Sequence, residues 1–411
     1  MRCFRLLALT MAAACASPPP PPAIAPAPTE SARTVIAPPK APPSPAEAEI
    51  AVAIAVVESL RAKDFAGALR PLGEAAKASL SEDALRDSWQ KISRDAGICR
   101  AIEKVGTTMG PGFTVVSVRC KTETAAFEVR VLFNGASPGK EAPLATGIVI
   151  SHVWDLPPYA DAAKFREEGT VVGAGKLSLP AALTLPVGPG PFPAVVLLHG
   201  AGPGDRDETI GGTKVFRDIA AGLASRGVAV LRFDKRSTAH PEDVAKDSTF
   251  TFHDDTIDDA RVAIAMLRKL PTIDKTKVFV FGHGEAGRLA PALANEDPTL
   301  AGLIIAAAST KTATAGLPAS YARSLRKYRA EEAARKAKMP ILVVAGDHDP
   351  ECSATDFRKW KNAVKGSPRA ETKWLLGLNH LFVISTGNDD HGKPANVAPE
   401  LIDAVAAFVA K

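Results

Sequence analysis

No glycine-rich phosphate loop of the Walker or dinucleotide type occurs in this chain, which excludes those two modes of nucleotide binding. No pair of His, Cys, Asp or Glu residues has convincing metal-ligand spacing. His253-Asp254-Asp255 reads as cap and dipole partners before a helix, and Asp389-Asp390-His391 as part of a polar loop. We expect neither a metal nor a cofactor. Excess charge is small, with 50 Lys and Arg against 45 Asp and Glu in 411 residues. The basic residues are interleaved with acids, as in Lys327-Tyr328-Arg329-Ala330-Glu331-Glu332, which suits a solvated helix face and argues against a nucleic-acid surface. Long apolar runs are missing too: Leu6 to Ala14 is too short to span a bilayer. Cysteines number only five. Hydrophobic residues make up 46% of the chain, enough for a sizeable core.

What is present begins with a targeting segment, residues 1–15. Arg2 and Arg5 flank the start of the apolar run, and Ala12-Ala13-Ala14-Cys15 resembles the processing site of a bacterial lipoprotein signal. That resemblance implies export to the cell envelope, lipidation of Cys15 and a membrane held through acyl chains. Ala12 stands where a leucine is usual, which leaves an ordinary secretory signal as the alternative. Residues 16–45 are rich in Pro and Ala, including the run Pro18 to Pro22, and read as an extended tether.

Residues 46–150 read as a small α+β domain. Glu47 to Ala62 has helical periodicity, with Ile50, Ile54, Val57 and Leu60 on one side. Ser81 is a candidate N-cap for a second helix. Strands follow at Cys99–Val105, Thr114–Cys120 and Ala126–Phe133. Cys99 and Cys120 are equidistant from Met109-Gly110, inside the turn Met109-Gly110-Pro111-Gly112, so an antiparallel hairpin would set them face to face. In an oxidising compartment they should form a disulfide; two buried free thiols are the bland alternative. No chemistry stands out here, and an accessory or binding role is expected.

Residues 160–411 alternate strands with helices. Ala194–Leu198, Val228–Phe233, Val278–Phe281, Leu303–Ala308, Ile341–Ala345 and Thr372–Leu376 read as strands. Val215–Ser225, Thr256–Leu270 and Leu401–Val409 read as helices. The continuous apolar runs suit parallel strands buried on both faces. The expected fold class is therefore α/β, a doubly wound sheet preceded by the small α+β domain. Four segments fall at strand C-termini, where such sheets place their chemistry: His199-Gly200-Ala201-Gly202-Pro203, Gly282-His283-Gly284-Glu285-Ala286-Gly287, Gly346-Asp347-His348-Asp349 and Gly377-Leu378-Asn379-His380.

Together with Asp205-Arg206-Asp207-Glu208-Thr209 and Phe233-Asp234-Lys235-Arg236, these segments resemble bacterial α/β-hydrolases. The branch is that of secreted esterases and serine aminopeptidase-like proteins, some of which carry a similar small domain in front. The resemblance implies a nucleophile elbow at residues 282–287, Asp349 as the triad acid and His380 as the base, in the family's chain order. It also implies an oxyanion hole from backbone N–H groups near Ala201 and at Glu285. Three departures stand out. The elbow serine is replaced by Gly284. Ala201 stands where relatives commonly have serine. The connection from Thr310 to Met339 is shorter than the helical cap of similar esterases.

Serine hydrolysis of ester or peptide-like acyl bonds is thus the ancestral chemistry that the resemblance implies, and loss of the nucleophile points to impaired catalysis. The chain would then be a binding pseudoenzyme for a small ester or peptide-like ligand. One alternative is a working hydrolase that uses activated water or another nucleophile, with Ser309, Ser237 and Cys352 as candidates. Another is an envelope scaffold acting through the N-terminal domain.

Overall fold

Ser44 closes the end of the first described helix. Its hydroxyl accepts the N–H of Glu47 while the Glu47 carboxylate accepts the N–H of Ser44, a reciprocal cap for α1 (Pro45–Arg61). The computed structural model describes residues 44–123, 125–134, 143–386 and 393–411. The signal-like segment with Cys15, the linker up to residue 43 and Asp389-Asp390-His391 lie outside the described residues. Residues 44–411 form one compact unit.

The stripe that α1 buries is Ala53, Val56, Val57 and Leu60, while Ile50 and Ile54 sit half-buried on its flank. Two short helices follow, α2 (Phe65–Leu69) and α3 (Glu74–Ser79), and then α4 (Glu82–Ala96). Ser81 caps α4, accepting the Ala84 N–H at 3.1 Å. Helix α4 buries Leu85, Trp89 and Ile92 against a four-stranded antiparallel meander. Its strands are β1 (Ala101–Gly110), β2 (Phe113–Lys121), β3 (Ala126–Asn134) and β4 (Ala145–His152), paired in that order. Alternate residues of β2 and β3 point inward, among them Val116, Val118, Phe127, Val129 and Val131.

The hairpin turns within the expected stretch Met109-Gly110-Pro111-Gly112, but its centre lies later than Met109-Gly110. Gly110 pairs with Phe113, so the turn is Pro111-Gly112, and an irregularity lies between Ile102 and Lys104. Cys120 therefore faces Ile102 across the ladder, and Cys99 is not its cross-strand partner. The two cysteines are nevertheless bridged, with Cα atoms 5.2 Å apart, because Cys99 approaches from just before β1.

The second sheet is built from β5 (Phe165–Val172), β6 (Leu179–Pro186), β7 (Phe192–Leu198), β10 (Ala229–Phe233), β11 (Ile273–His283), β12 (Gly302–Ala306), β13 (Ile341–Gly346) and β14 (Ala370–Leu375). A two-strand hairpin, β8 (Thr209–Ile210) and β9 (Thr213–Lys214), stands apart after β7. The sheet order is β14-β13-β12-β11-β7-β10-β6-β5. From β14 to β10 the strands are parallel; β6 and β5 add an antiparallel edge.

Helices cover both faces. On one lie α8 (Asp258–Leu267), α9 (Gly284–Glu296), α11 (Ala330–Lys336) and α12 (Ala354–Ala363); on the other lie α5 (Val215–Ala224) and α13 (Pro399–Val409). Shorter helices α6 (Arg236–Ala239), α7 (Pro241–Lys246) and α10 (Ala319–Lys327) fill connections. Alternation explains the apolar runs: Val196 and Val280 join one core, while Val195, Leu197, Phe279 and Phe281 join the other. Strand β7 has β10 on one side and β11 on the other, so the chain reverses direction there, and its C-terminal end opens the crevice such sheets use. Among the described residues no helix is long and apolar enough to cross a membrane.

Candidate active site

Strand β11 runs buried to His283 in extended conformation, and the chain turns into α9 at Gly284 with φ +53. That region of backbone space costs a residue with a Cβ roughly 1–3 kcal/mol and costs glycine little. The flanking glycines are needed for space. A Cβ on Gly282 would lie 2.5 Å from the Ala286 carbonyl oxygen, and one on Gly287 would lie 2.7 Å from the Gly282 oxygen. Position 284 is different. A Cβ there would meet Gly200 Cα and His380 Nε2, each at 3.4 Å, which is ordinary contact. The turn therefore has room for a side chain aimed at His380.

His380 is buried in the loop after β14, and its Nδ1 lies 2.9 Å from Asp349 Oδ2 and 3.1 Å from Oδ1. Asp349 follows β13 and also accepts the N–H groups of Glu351 and Cys352 at 2.7 and 2.9 Å. Burial pushes its carboxyl up, but His380 and these N–H donors outweigh it and hold the group below its ordinary value. The carboxylate thus orients the ring so that Nε2 faces position 284. Glu351 Oε2 stands 3.6 Å from that same Nε2. Asn379 shapes the loop, its Oδ1 accepting the N–H groups of Leu381 and Val383.

On the opposite wall, the Gly200 N–H is donated to Glu208 Oε1 at 2.8 Å. The next N–H, of Ala201, has no acceptor among the described residues. The Glu285 N–H belongs to the open first turn of α9. In an α/β-hydrolase the loop after this strand and the residue after the elbow are the two positions that supply oxyanion-hole donors. Buried Lys235 pins the loop, donating to the carbonyls of Gly200 and Gly202 at 3.2 and 3.0 Å while pairing with Asp255 at 3.1 Å. The Glu285 side chain accepts the Tyr321 hydroxyl of α10 at 3.0 Å, so the short Thr310–Met339 connection packs onto the elbow helix.

Sequence reasoning missed the pair His283–Glu208. His283 Nδ1 lies 3.0 Å from Glu208 Oε1, and its Nε2 lies 2.9 Å from the His380 carbonyl oxygen. Both ring nitrogens face acceptors, an arrangement that the imidazolium alone satisfies fully. Burial works against the charge, but Glu208 and the His380 carbonyl push the pKa up to about 9. Glu208 is itself held below the usual range, burial being outweighed by His283. One ion pair thus ties the elbow to the loop bearing Ala201 and to the loop bearing His380. Its sequence signal was a histidine ending an otherwise apolar buried strand. The neighbouring charges order the loop: Arg206 pairs with Asp234 at 3.2 Å and Asp207 with Lys214 at 2.8 Å.

The alternative nucleophiles have other partners. The Ser237 hydroxyl and N–H face Asp255. The Ser309 hydroxyl accepts the Lys311 N–H. Cys352 Sγ lies 3.2 Å from the Ala308 carbonyl oxygen, and burial followed by Asp349 and Asp356 pushes its thiol pKa far up, which keeps it from the reactive thiolate. Asp254 accepts from Thr251 and Asp255 pairs with Lys235, while among the described residues no His, Cys, Asp and Glu group is arranged to hold a metal.

Comparison with known proteins agrees with this geometry. The family described as "Alpha/beta hydrolase domain" matches residues 192–410. Esterase EstD of Thermotoga maritima is 28% identical over 397 residues, a match covering 86% of this chain and 94% of that protein. So wide a match extends well beyond the α/β part and takes in the N-terminal helices and meander. Among solved structures, Est1E from Butyrivibrio proteoclasticus is similar with 18% identity and a TM-score of 0.45, covering 59% of this chain and 97% of that one. The acylaminoacyl peptidase of Pyrococcus horikoshii is similar with 13% identity and a TM-score of 0.49, covering 75% of this chain and 56% of that one. With its eight-stranded mixed sheet and a family match over more than half its length, the chain belongs to the α/β-hydrolase family.

Proposed function

We propose that this chain is an α/β-hydrolase of the esterase and peptidase type whose serine route is disabled at position 284. It binds a small ester or peptide-like acyl ligand without turning it over at a useful rate. The observation that carries this reading is the intact setting around a residue with no side chain. Asp349 and His380 remain joined at 2.9 Å, and Nε2 lies 3.4 Å from where a Cβ on Gly284 would stand. Acyl transfer needs an atom there to form the covalent intermediate, and glycine has none. The remaining parts, an oriented base and two N–H donors, are those that grip a carbonyl oxygen. Glu351 beside Nε2 is a group that any water-activating role of His380 would have to displace. In the same reading the protein works in the cell envelope, exported and held to the membrane by a lipid on Cys15.

The test is hydrolysis of short-chain and medium-chain nitrophenyl esters by the natural protein and by Gly284→Ser. We expect background rates from the former and at least about a hundredfold more from the latter, since a triad nucleophile is worth far more than that. Equal rates would overturn the proposal, because residue 284 would then be irrelevant to the chemistry. Two inactive proteins would overturn the claim that the base and oxyanion donors remain competent.

A further inference from the structure

Away from position 284, a cleft of about 580 Å³ lies where the N-terminal meander meets the start of α5. Arg130, Ile150 and Trp154 line it from one side, and Thr209, Lys214 and Arg217 from the other. Trp154 is fixed in place, its Nε1–H donating to buried Asp218 at 2.6 Å. The Arg217 guanidinium lies over the Trp154 ring, 4.1 Å from its centroid.

Charge bookkeeping separates Arg217 from the other cations. Lys91 is paired with Asp95 at 2.7 Å, Lys214 with Asp207 at 2.8 Å, and Arg130 faces Glu128 at 3.8 Å. Asp205, also in the lining, is occupied by the N–H and hydroxyl of Thr209. Asp218 accepts from Trp154, Asn396 and Val397. Arg217 forms no ion pair within 4.0 Å among the described residues; Asp207 and Asp218 feel its charge from farther off, and an aromatic ring lies beneath it. Two more nitrogens at the cleft, Arg130 Nε and His152 Nδ1, are buried without a hydrogen-bond partner. A planar guanidinium of this kind matches a carboxylate with two parallel hydrogen bonds. Trp154 and Ile150 offer an apolar wall beside it. The carboxylates Asp95, Glu128 and Asp205 around the rim disfavour a doubly charged guest. Junctions between structural layers are where small-molecule sites concentrate.

We propose that this cleft binds a small monocarboxylate with an apolar body, its carboxylate on Arg217 and its body beside Trp154 and Ile150. The site is separate from the acyl-binding reading above and does not depend on it.

Calorimetric titration of the full chain with benzoate, hexanoate and inorganic phosphate tests this. Benzoate and hexanoate should bind at one site. Arg217→Gln should weaken them roughly tenfold or more, the value of a charged hydrogen-bonded contact. Ser88→Glu should also weaken them, by placing an anion on an exposed helix position at the rim while leaving Arg217 intact. His380→Ala should leave the affinity unchanged. Absence of saturable binding by either carboxylate overturns the proposal. So does phosphate binding more tightly than both. Affinity that survives Arg217→Gln and Ser88→Glu but is lost in His380→Ala would put the ligand in the catalytic crevice and overturn it as well.

Discussion

The N-terminal part and the α/β part of this chain treat charge in opposite ways. The core under the meander is dominated by apolar residues such as Leu60, Leu85, Val118, Phe127 and Val131, with Glu49 the one buried charged residue among the described residues of that part. Its ion pairs, such as Arg86 with Glu82 and Lys91 with Asp95, stay on the surface. The α/β part instead buries Glu208, Arg232, Lys235, Asp255, His283, Asp349 and His380. Most of them gather where β7, β11, β13 and β14 end. A buried pair rarely stabilises a fold more than apolar packing of the same volume would. What it adds is direction: Glu208 and Lys235 fix where the Gly200 N–H and the Gly200 and Gly202 carbonyls point, and so where the Ala201 N–H points. The difference teaches that the N-terminal core holds together by apolar packing, while the α/β part uses buried charges to hold loops in register.

Substitutions can break or sharpen that contrast. The largest effect is expected for Lys235→Met, which leaves Asp255 buried without its cation. It should cost about 3–5 kcal/mol in denaturant unfolding and, on the Gly284→Ser background, most of the restored esterase activity. Phe127→Ala in the meander should cost a similar amount, about 3–5 kcal/mol, yet leave that restored activity intact at temperatures where the protein stays folded. If Phe127→Ala removed the activity as well, the two regions would not be independent in the way described.

A subtler effect is in pH. The folded pKa of His283, at about 9, lies above its unfolded value. Its contribution, on the order of 3 kcal/mol, is fully present below about pH 6.5 and lost as pH rises through about 9. Stability measured across that window should fall in the natural protein and fall much less in His283→Gln. Equal slopes would show that His283 is not a buried cation. The smallest effect is expected for Arg119→Ala. It breaks the pairs with Glu103 and Asp155, which are partly exposed, and should change stability by less than about 1 kcal/mol with no effect on activity.

The parts of the fold legible in the sequence were those with strong local signals. Helix α4 was announced by Ser81 and its acidic first turn, and β7 and β11 by runs too apolar for anything but a doubly covered sheet. Helices α2 and α3 were missed because five or six residues are too few to show a period. Strand β5 was missed because its sequence, Phe165-Arg166-Glu167-Glu168-Gly169-Thr170-Val171-Val172, is that of a charged edge strand with most residues exposed. The displaced register of Cys99 came from the turn at Pro111-Gly112, which sets Gly110 opposite Phe113; the irregularity between Ile102 and Lys104 moves the pairing one residue back toward Cys99.

By itself the sequence determined the order of elements and which residue types stand at the strand ends, because apolar periodicity and glycine placement are local properties. It also determined that position 284 has no side chain. Only the tertiary structure decided which of those residues meet. His283 and Glu208 are 75 positions apart, and His283 and His380 are 97 apart. They come together because β7, β11 and β14 run parallel, so the loops that follow them leave the same end of the sheet and can meet there. The role of Arg217 was likewise invisible in its own segment, since it depends on Trp154 arriving from the other part of the chain.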